Sequence, residues 1–205
     1  MTNQGKLVVI TGIDGSGKSS VVSGLESDGF RVAHWRRLKN IKLKNQLNFT
    51  NPAEEIQHLD DDERLDFIRD YLDSEWNELI YPELLDGNDL VSDSYFVKFY
   101  CKESIYKRLD LKRLGSVTKL SGRELFIFID TPPALALERK GGVVSPYECF
   151  HSSGDFVEFQ SELRSKLIDF MVIYKHEVID GRMSKSRVYG RVRQILYENN
   201  IHPSL

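Results

Sequence analysis

The sequence predicts a three-layer α/β fold, a five-stranded parallel sheet with helices on both faces and a small lid, and three observations carry that expectation. Short β-branched or apolar runs at 6–11, 31–35, 89–92, 125–130 and 177–180 alternate with longer stretches of helical character. The first run leads directly into a glycine-rich loop and then a helical stretch. Later runs end in, or next to, an aspartate. Alternation of this kind makes a parallel sheet, because a helix must carry the chain back across one face before the next strand can pair.

Taken in order, the run at 6–11 is the first strand and 12–19 its loop. The clearest helix spans 60–85, where Leu65, Ile68, Leu72, Trp76, Leu79 and Ile80 recur at three- and four-residue intervals. Asp60, Asp61 and Asp62 suit its positive N-terminal end. A second long helix is expected from 155 to about 175, with Phe156, Phe159, Leu163, Leu167, Phe170 and Tyr174 on one core-facing stripe. In such a sheet, ligands bind beyond the carboxyl ends of the strands.

At 205 residues and 40% hydrophobic content the chain closes one core, so a single domain over 1–205 is expected. Its 28 basic and 31 acidic residues give a net charge of −3, which argues against a nucleic-acid polymer or an anionic membrane as partner. The start of the chain lacks the apolar run of a signal peptide, and nothing approaches ~18 continuous apolar residues. A cytoplasmic protein is expected, with Cys101 and Cys149 as reduced, structural thiols. The five histidines are scattered with no metal-binding spacing.

The segment Gly12-Ile13-Asp14-Gly15-Ser16-Gly17-Lys18-Ser19 has the Gly-x-x-x-x-Gly-Lys-Ser spacing in its required strand–loop–helix setting. Glycines let the backbone curl so that successive N–H groups face phosphate oxygens, and the following helix adds its positive end. This predicts a P-loop NTPase fold binding ATP and Mg2+ through Gly12, Asp14, Gly15, Ser16, Gly17, Lys18, Ser19 and Ser20. Lys18 is placed to reach the β- and γ-phosphates and Ser19 to ligate magnesium. Asp93, after Leu90-Val91-Ser92, either holds the metal, orients an acceptor, or caps a turn. Asp130 is read with the same alternatives, since Thr131-Pro132-Pro133 follows it as a helix start.

Arg36 and Arg37 follow the second strand and either clamp an acceptor anion or form a solvated turn; Trp35 either stacks on a ligand or packs under the loop. The stretch 139–154 combines Arg139 and Lys140 with Gly141-Gly142, the composition of a lid that closes cations over phosphates.

These residues resemble the thymidylate kinase family of nucleoside monophosphate kinases over nearly all of the chain. The likeness rests on the glycine-rich loop with Asp14 two residues after its first glycine. It extends to Pro82-Glu83-Leu84-Leu85-Asp86-Gly87 leading to Asp93, to Asp130-Thr131-Pro132-Pro133, to Ala136-Leu137-Glu138-Arg139, and to Val178-Ile179-Asp180-Gly181. It implies that Lys18, Asp14, Arg139 and Asp93 serve catalysis, that Asp14 faces the acceptor, and that Ser19 and Asp93 hold the metal. Acceptor contacts are assigned to Arg36, Arg37, Phe67, Arg69 and Tyr95, and a homodimer is common among such kinases.

The acceptor side departs from the family pattern. Asp93-Ser94-Tyr95 stands where the family has Asp-Arg-Tyr or Asp-Arg-His, Leu72 replaces a further arginine, and 97–103 lacks the family's Ser and Ala-Tyr-Gln positions. A serine does not reproduce arginine's planar fork on a phosphate. The expectation is therefore an ATP-dependent transfer of the γ-phosphoryl group to a nucleoside monophosphate or related small metabolite, with thymidylate itself in doubt. Two alternatives stand beside it: a kinase for a non-nucleotide small molecule in a biosynthetic pathway, and an ATP-binding or ATP-hydrolysing module without kinase activity.

Overall fold

In the computed structural model, residues 4–34, 37–38, 56, 59–106, 120, 122–150 and 152–204 are described. Five strands form one parallel sheet: β1 (Leu7–Thr11), β2 (Val32–Ala33), β3 (Leu90–Asp93), β4 (Leu125–Asp130) and β5 (His176–Asp180), in the order β2-β3-β1-β4-β5. All five expected strands are present. The second is shorter than its apolar run, and Trp35 lies outside the described residues.

β1 is apolar along its whole length because both its faces are covered. Leu7 and Val9 join a core with α2 (Asp61–Ser74), α4 (Tyr95–Tyr106) and α6 (Phe156–Met171). Val8 and Ile10 join a second core with α1 (Lys18–Ser27) and α7 (Lys185–Glu198). Phe126 and Phe128 of β4 face the first core, and Leu125, Ile127 and Ile129 the second. Two short helices, α3 (Tyr81–Leu85) and α5 (Pro133–Arg139), complete the described set.

The expected helix at 60–85 is continuous but not uniform. Asp60 caps it, accepting from the backbone N–H of Asp62 at 3.0 Å and of Glu63 at 2.9 Å while Glu63 Oε2 receives the Asp60 N–H. Between Glu75 and Ile80 the coil widens into a π-helix, and Tyr81 N–H bonds to Trp76 O, five residues back. Pro82 follows at once; it has no N–H to donate, and its ring crowds the carbonyl four residues earlier, which favours the wider coil before it.

The first core also buries charge. Arg64 (1% exposed) and Glu103 (0%) pair through two bonds, Nε to Oε2 and Nη2 to Oε1, both at 2.7 Å. Arg64 Nη1 donates to Ile56 O at 2.6 Å, and Tyr147 Oη donates to Glu103 Oε1 at 2.8 Å. This pair ties α2 to α4 and to the turn at Pro146–Glu148.

A buried pair that loses one partner leaves an uncompensated charge, which costs on the order of 3–5 kcal/mol. Arg64→Leu is therefore expected to lower the unfolding free energy by about that amount in urea titrations. Arg64→Leu/Glu103→Leu should lose less than the single variant; a double variant at least as unstable would show that charge pairing is not the operative term.

Candidate active site

The loop after β1 lies at the carboxyl edge of the sheet, where the next elements are forced to converge. Gly15 has φ 80°, and a Cβ there would lie 2.6 Å from Ala136 O, so only glycine lets α5 approach the loop. Gly17, at φ 93°, starts α1 with no side-chain cap, which leaves the first N–H groups of that helix for a ligand. Ser16 Oγ is buried without a hydrogen-bond partner among the described residues. Lys18 is 6% exposed, and its Nζ donates to Ile13 O at 3.4 Å. Burial pushes its ammonium down to about 8, the positive charge of Lys98 pushes the same way, and Asp93 and Asp14 oppose them.

A cavity of about 550 Å³ opens from this loop. Gly15, Ser16, Gly17, Lys18, Ser19 and Ser20 line one part of it, Val21, Met183, Val188 and Tyr189 make apolar wall, and Arg139 and Lys185 add cations. The cavity is thus polar and cationic along the loop and apolar along Val21, Met183, Val188 and Tyr189.

Register then delivers the acid. Ile10 of β1 pairs with Asp93 of β3, so Asp93 ends its strand beside the loop. Ser19 Oγ donates to Asp93 Oδ2 at 2.8 Å, and Ser94 Oγ donates to Asp93 Oδ1 at 3.1 Å. Ser94 and Tyr95 both have positive φ, 70° and 38°, and carry the chain straight from β3 into α4. Such conformations in non-glycine residues cost on the order of 1–3 kcal/mol each and persist where the surroundings enforce them. Here Ser94 N–H is held by Ile10 O at 2.9 Å, and the Tyr95 ring stacks on Trp76 with centroids 6.2 Å apart.

Asp14 is the centre of a buried charge cluster. Its Oδ1 accepts from Lys98 Nζ; its Oδ2 accepts from Lys102 Nζ at 2.9 Å and from Gln160 Nε2 at 3.1 Å. Its backbone N–H donates to Gln160 Oε1 at 2.9 Å. Burial alone would raise the Asp14 carboxyl, but Lys102, Lys98 and Lys18 together hold it well below the usual range. Burial takes Lys102 down to about 8 despite Asp14, whereas the Asp14 partnership keeps Lys98 above its ordinary value against the same penalty. Lys102 also donates to Tyr147 O at 2.6 Å and lies 4.2 Å from the Tyr147 ring centroid.

The sequence-predicted residues divide into those the fold brings together and those it does not. Gly15, Ser16, Gly17, Lys18, Ser19, Ser20 and Arg139 line the cavity, with Arg139 Nη2 directed to Met183 O at 3.4 Å; Asp93 adjoins it through Ser19, Gly12 lies against Ser16, and Asp14 is taken up by the lysine cluster instead. Arg37 pairs with Glu26 of α1 and donates to Val32 O at 3.3 Å, and Arg69 pairs with Asp66 on its own exposed helix face. Both are engaged locally, in the manner of ordinary surface arginines. Arg36 lies outside the described residues. Phe67 packs in the first core, its ring 6.4 Å from that of Tyr71, and Tyr95 is 2% exposed. Asp130 caps no helix: Arg164 holds it through two bonds, at 2.5 and 2.7 Å. Within the segment expected as a lid, Lys140 pairs with Glu148 at 3.0 Å, Tyr147 is buried, and Gln160 anchors Glu148 O at 3.0 Å. Both cysteines are buried, and burial raises the thiols, Cys101 to about 12, in keeping with a structural role.

Sequence reasoning missed Lys98, Lys102, Gln160 and Glu75. The signal for the first two was their spacing: Lys98 and Lys102 are four residues apart and share one face of α4. Glu75 opens the π-helical turn at 3% exposure, with Oε2 unbonded among the described residues. Burial first, and then the charge of Asp93, push its carboxyl up to about 8, so it is protonated at neutral pH.

No family model matches the chain. A thymidylate kinase from Dinoroseobacter shibae is 32% identical over 215 aligned positions, spanning 94% of this chain and 96% of that protein. Thymidylate kinases from Francisella tularensis subspecies holarctica and novicida are each 28% identical over 152 residues, covering 70% of this chain and 73% of theirs. Among solved structures, a deoxyadenosine kinase from M. mycoides, with products dCMP and a flexible dCDP bound, superimposes with a TM-score of 0.62 at 13% identity, over 94% of this chain and 98% of that one. At that identity the likeness bears on the fold.

The Glu75 carboxyl binds its proton in the folded state up to about pH 8 but releases it near 4.5 when unfolded, so it withdraws stability as pH rises between those values. In metal-free buffer, Glu75→Gln is expected to match the parent within about 1 °C at pH 4 and to exceed its Tm by roughly 10 °C at pH 8. Parallel Tm curves for the two proteins across that range would count against a protonated Glu75.

Proposed function

The chain belongs to the thymidylate kinase family, and from that membership we propose that it transfers the γ-phosphoryl group of ATP, with magnesium, to a nucleoside monophosphate or a related small metabolite. The observation that carries this reading is the junction of Ser19 Oγ and Asp93 Oδ2 at 2.8 Å beside an uncapped helix N-terminus and a buried, weakly bonded Lys18.

The residues present fit both groups. A hydroxyl from the first turn of α1 and a carboxylate from the end of β3 form a hard-oxygen pair of the kind magnesium takes alongside substrate phosphates and water. The unpartnered Ser16 Oγ, the free N–H groups after Gly17 and the positive φ of Gly15 suit a triphosphate tail. Held by Ser19 and Asp93, magnesium would neutralise part of the charge on the triphosphate.

The protein's own share is positioning and charge. Lys18 exchanges a weak carbonyl contact for phosphate oxygens, so its buried ammonium gains more from the ligand than from the empty site. The α1 N–H groups hold the polyphosphate, Arg139 approaches it from the end of α5, and Val188, Tyr189 and Met183 offer apolar surface to the base. Asp14, with both oxygens already taken, organises Lys98 and Lys102 and accepts no further proton. A loose phosphoryl transition state asks for little else.

Lys18→Ala is expected to abolish acceptor-dependent ADP release in a coupled assay across nucleoside monophosphates and small alcohols, and to weaken MgATP binding in calorimetry by at least about 100-fold. ADP release by the parent that is indifferent to every acceptor would instead favour a hydrolysing module. Ser19→Ala should raise the magnesium concentration for half-maximal rate about tenfold or more, since a ligand to the ion is lost; an unchanged magnesium dependence would remove Ser19 from the metal site.

A further inference from the structure

We propose that Lys98 is this chain's acceptor-binding cation: it rests on Asp14 in the free protein and delivers its ammonium to the acceptor's phosphate, in the role that an arginine at position 94 has lost. The inference deepens the kinase reading above and rests on it.

Three features lead to it. First, Ser94 cannot grip a phosphate, and its hydroxyl is committed to Asp93 at 3.1 Å. Lys98 lies in the first turn of α4, just after the Ser94–Tyr95 turn, and comes back to the phosphate loop through Asp14. Second, Lys98 and Lys102 are not equivalent. Lys102, 2% exposed, is locked by Asp14 Oδ2, Tyr147 O and the Tyr147 ring. Lys98 is 23% exposed and, among the described residues, donates only to Asp14, so two of its three N–H groups remain for a ligand. Third, Lys98 and Lys18 both bear on the carboxylate of Asp14, so both ammonium groups sit at the loop after β1.

The charge pattern also selects the acceptor group. An alcohol must lose a proton as it attacks, yet Asp14 has three donors on its two oxygens and Asp93 is engaged by Ser19 and Ser94. A phosphomonoester dianion needs no base. One of its oxygens forms a bond to the γ-phosphorus while the bond from that phosphorus to the β–γ bridging oxygen breaks; ADP leaves with the electron pair, and no proton has to move. What such an acceptor needs is cationic neutralisation, and Lys98 is the cation with donors to give.

The test uses the full chain with dTMP, dCMP, dAMP and dGMP, the four corresponding deoxynucleosides, and inorganic phosphate as probes. By calorimetry, at least one monophosphate is expected to bind more tightly than its nucleoside. Lys98→Gln should weaken that binding roughly 10- to 100-fold, with Lys98→Arg retaining most of it and MgATP affinity not falling. Ser94→Arg in the Lys98→Gln background should restore part of the loss. Turnover should show the same defect in the acceptor KM more than in kcat. Because Lys98→Gln disturbs a buried cluster, the parent protein supplies an independent readout: reductive methylation of Lys98, followed by mass spectrometry, should slow on adding the monophosphate and not the nucleoside. Equal monophosphate affinity in Lys98→Gln, no monophosphate binding by the parent, or methylation unaffected by monophosphate would each overturn the assignment. A parent that binds monophosphates through Lys98 yet releases no ADP would overturn only the kinase reading.

Discussion

The carboxylate of Asp14 joins four parts of the chain at one buried point. A lone carboxylate at 5% exposure would cost several kcal/mol of lost hydration. Here it is offset by two ammonium groups from α4 and an amide from α6, and the same lysine and glutamine hold the carbonyls of Tyr147 and Glu148. The loop after β1 is therefore fastened to α4 and α6 through charge, while its strand is fastened to the sheet through apolar packing. Arg64 and Glu103 repeat the arrangement one layer deeper, and Tyr147 touches both clusters.

That construction leaves the site short of anions. Lys18, Lys98 and Lys102 crowd around Asp14 and Asp93, and burial takes two of the three ammonium groups to about 8. Protein charges arranged in this way are stabilised by bringing in phosphate, which is how a phosphoryl-transfer site gains from its substrates without covalent work of its own.

Irregular backbone concentrates on the acceptor side. The π-helical turn holds Glu75 and Trp76, and the two positive-φ residues Ser94 and Tyr95 lie against it through the Trp76–Tyr95 stack. Each irregularity is enforced by a neighbour: Pro82 widens the helix, and Ile10 O fixes the turn after β3. Together they bring the buried Glu75 carboxyl under the charge of Asp93.

The layered sheet, the phosphate loop and the acid after β3 were legible in the chain because each depends on residues close together: alternating apolar runs, glycines at fixed spacing, a strand with a carboxylate at its end. Asp60 as a cap and the long helix to residue 85 were legible for the same reason. What only the tertiary structure decided was which charges face one another. Arg37 and Arg69 look in sequence like acceptor clamps, yet the fold gives each a nearby carboxylate on the surface; Asp130 looks like a cap, yet it meets Arg164, 34 residues away. Lys98 and Lys102 look like solvated helix positions, yet they close on Asp14, 84 and 88 residues earlier in the chain. Periodicity reports a residue's own helix or strand, whereas an ion pair between distant segments depends on packing that brings them together and excludes water, and no local pattern encodes that.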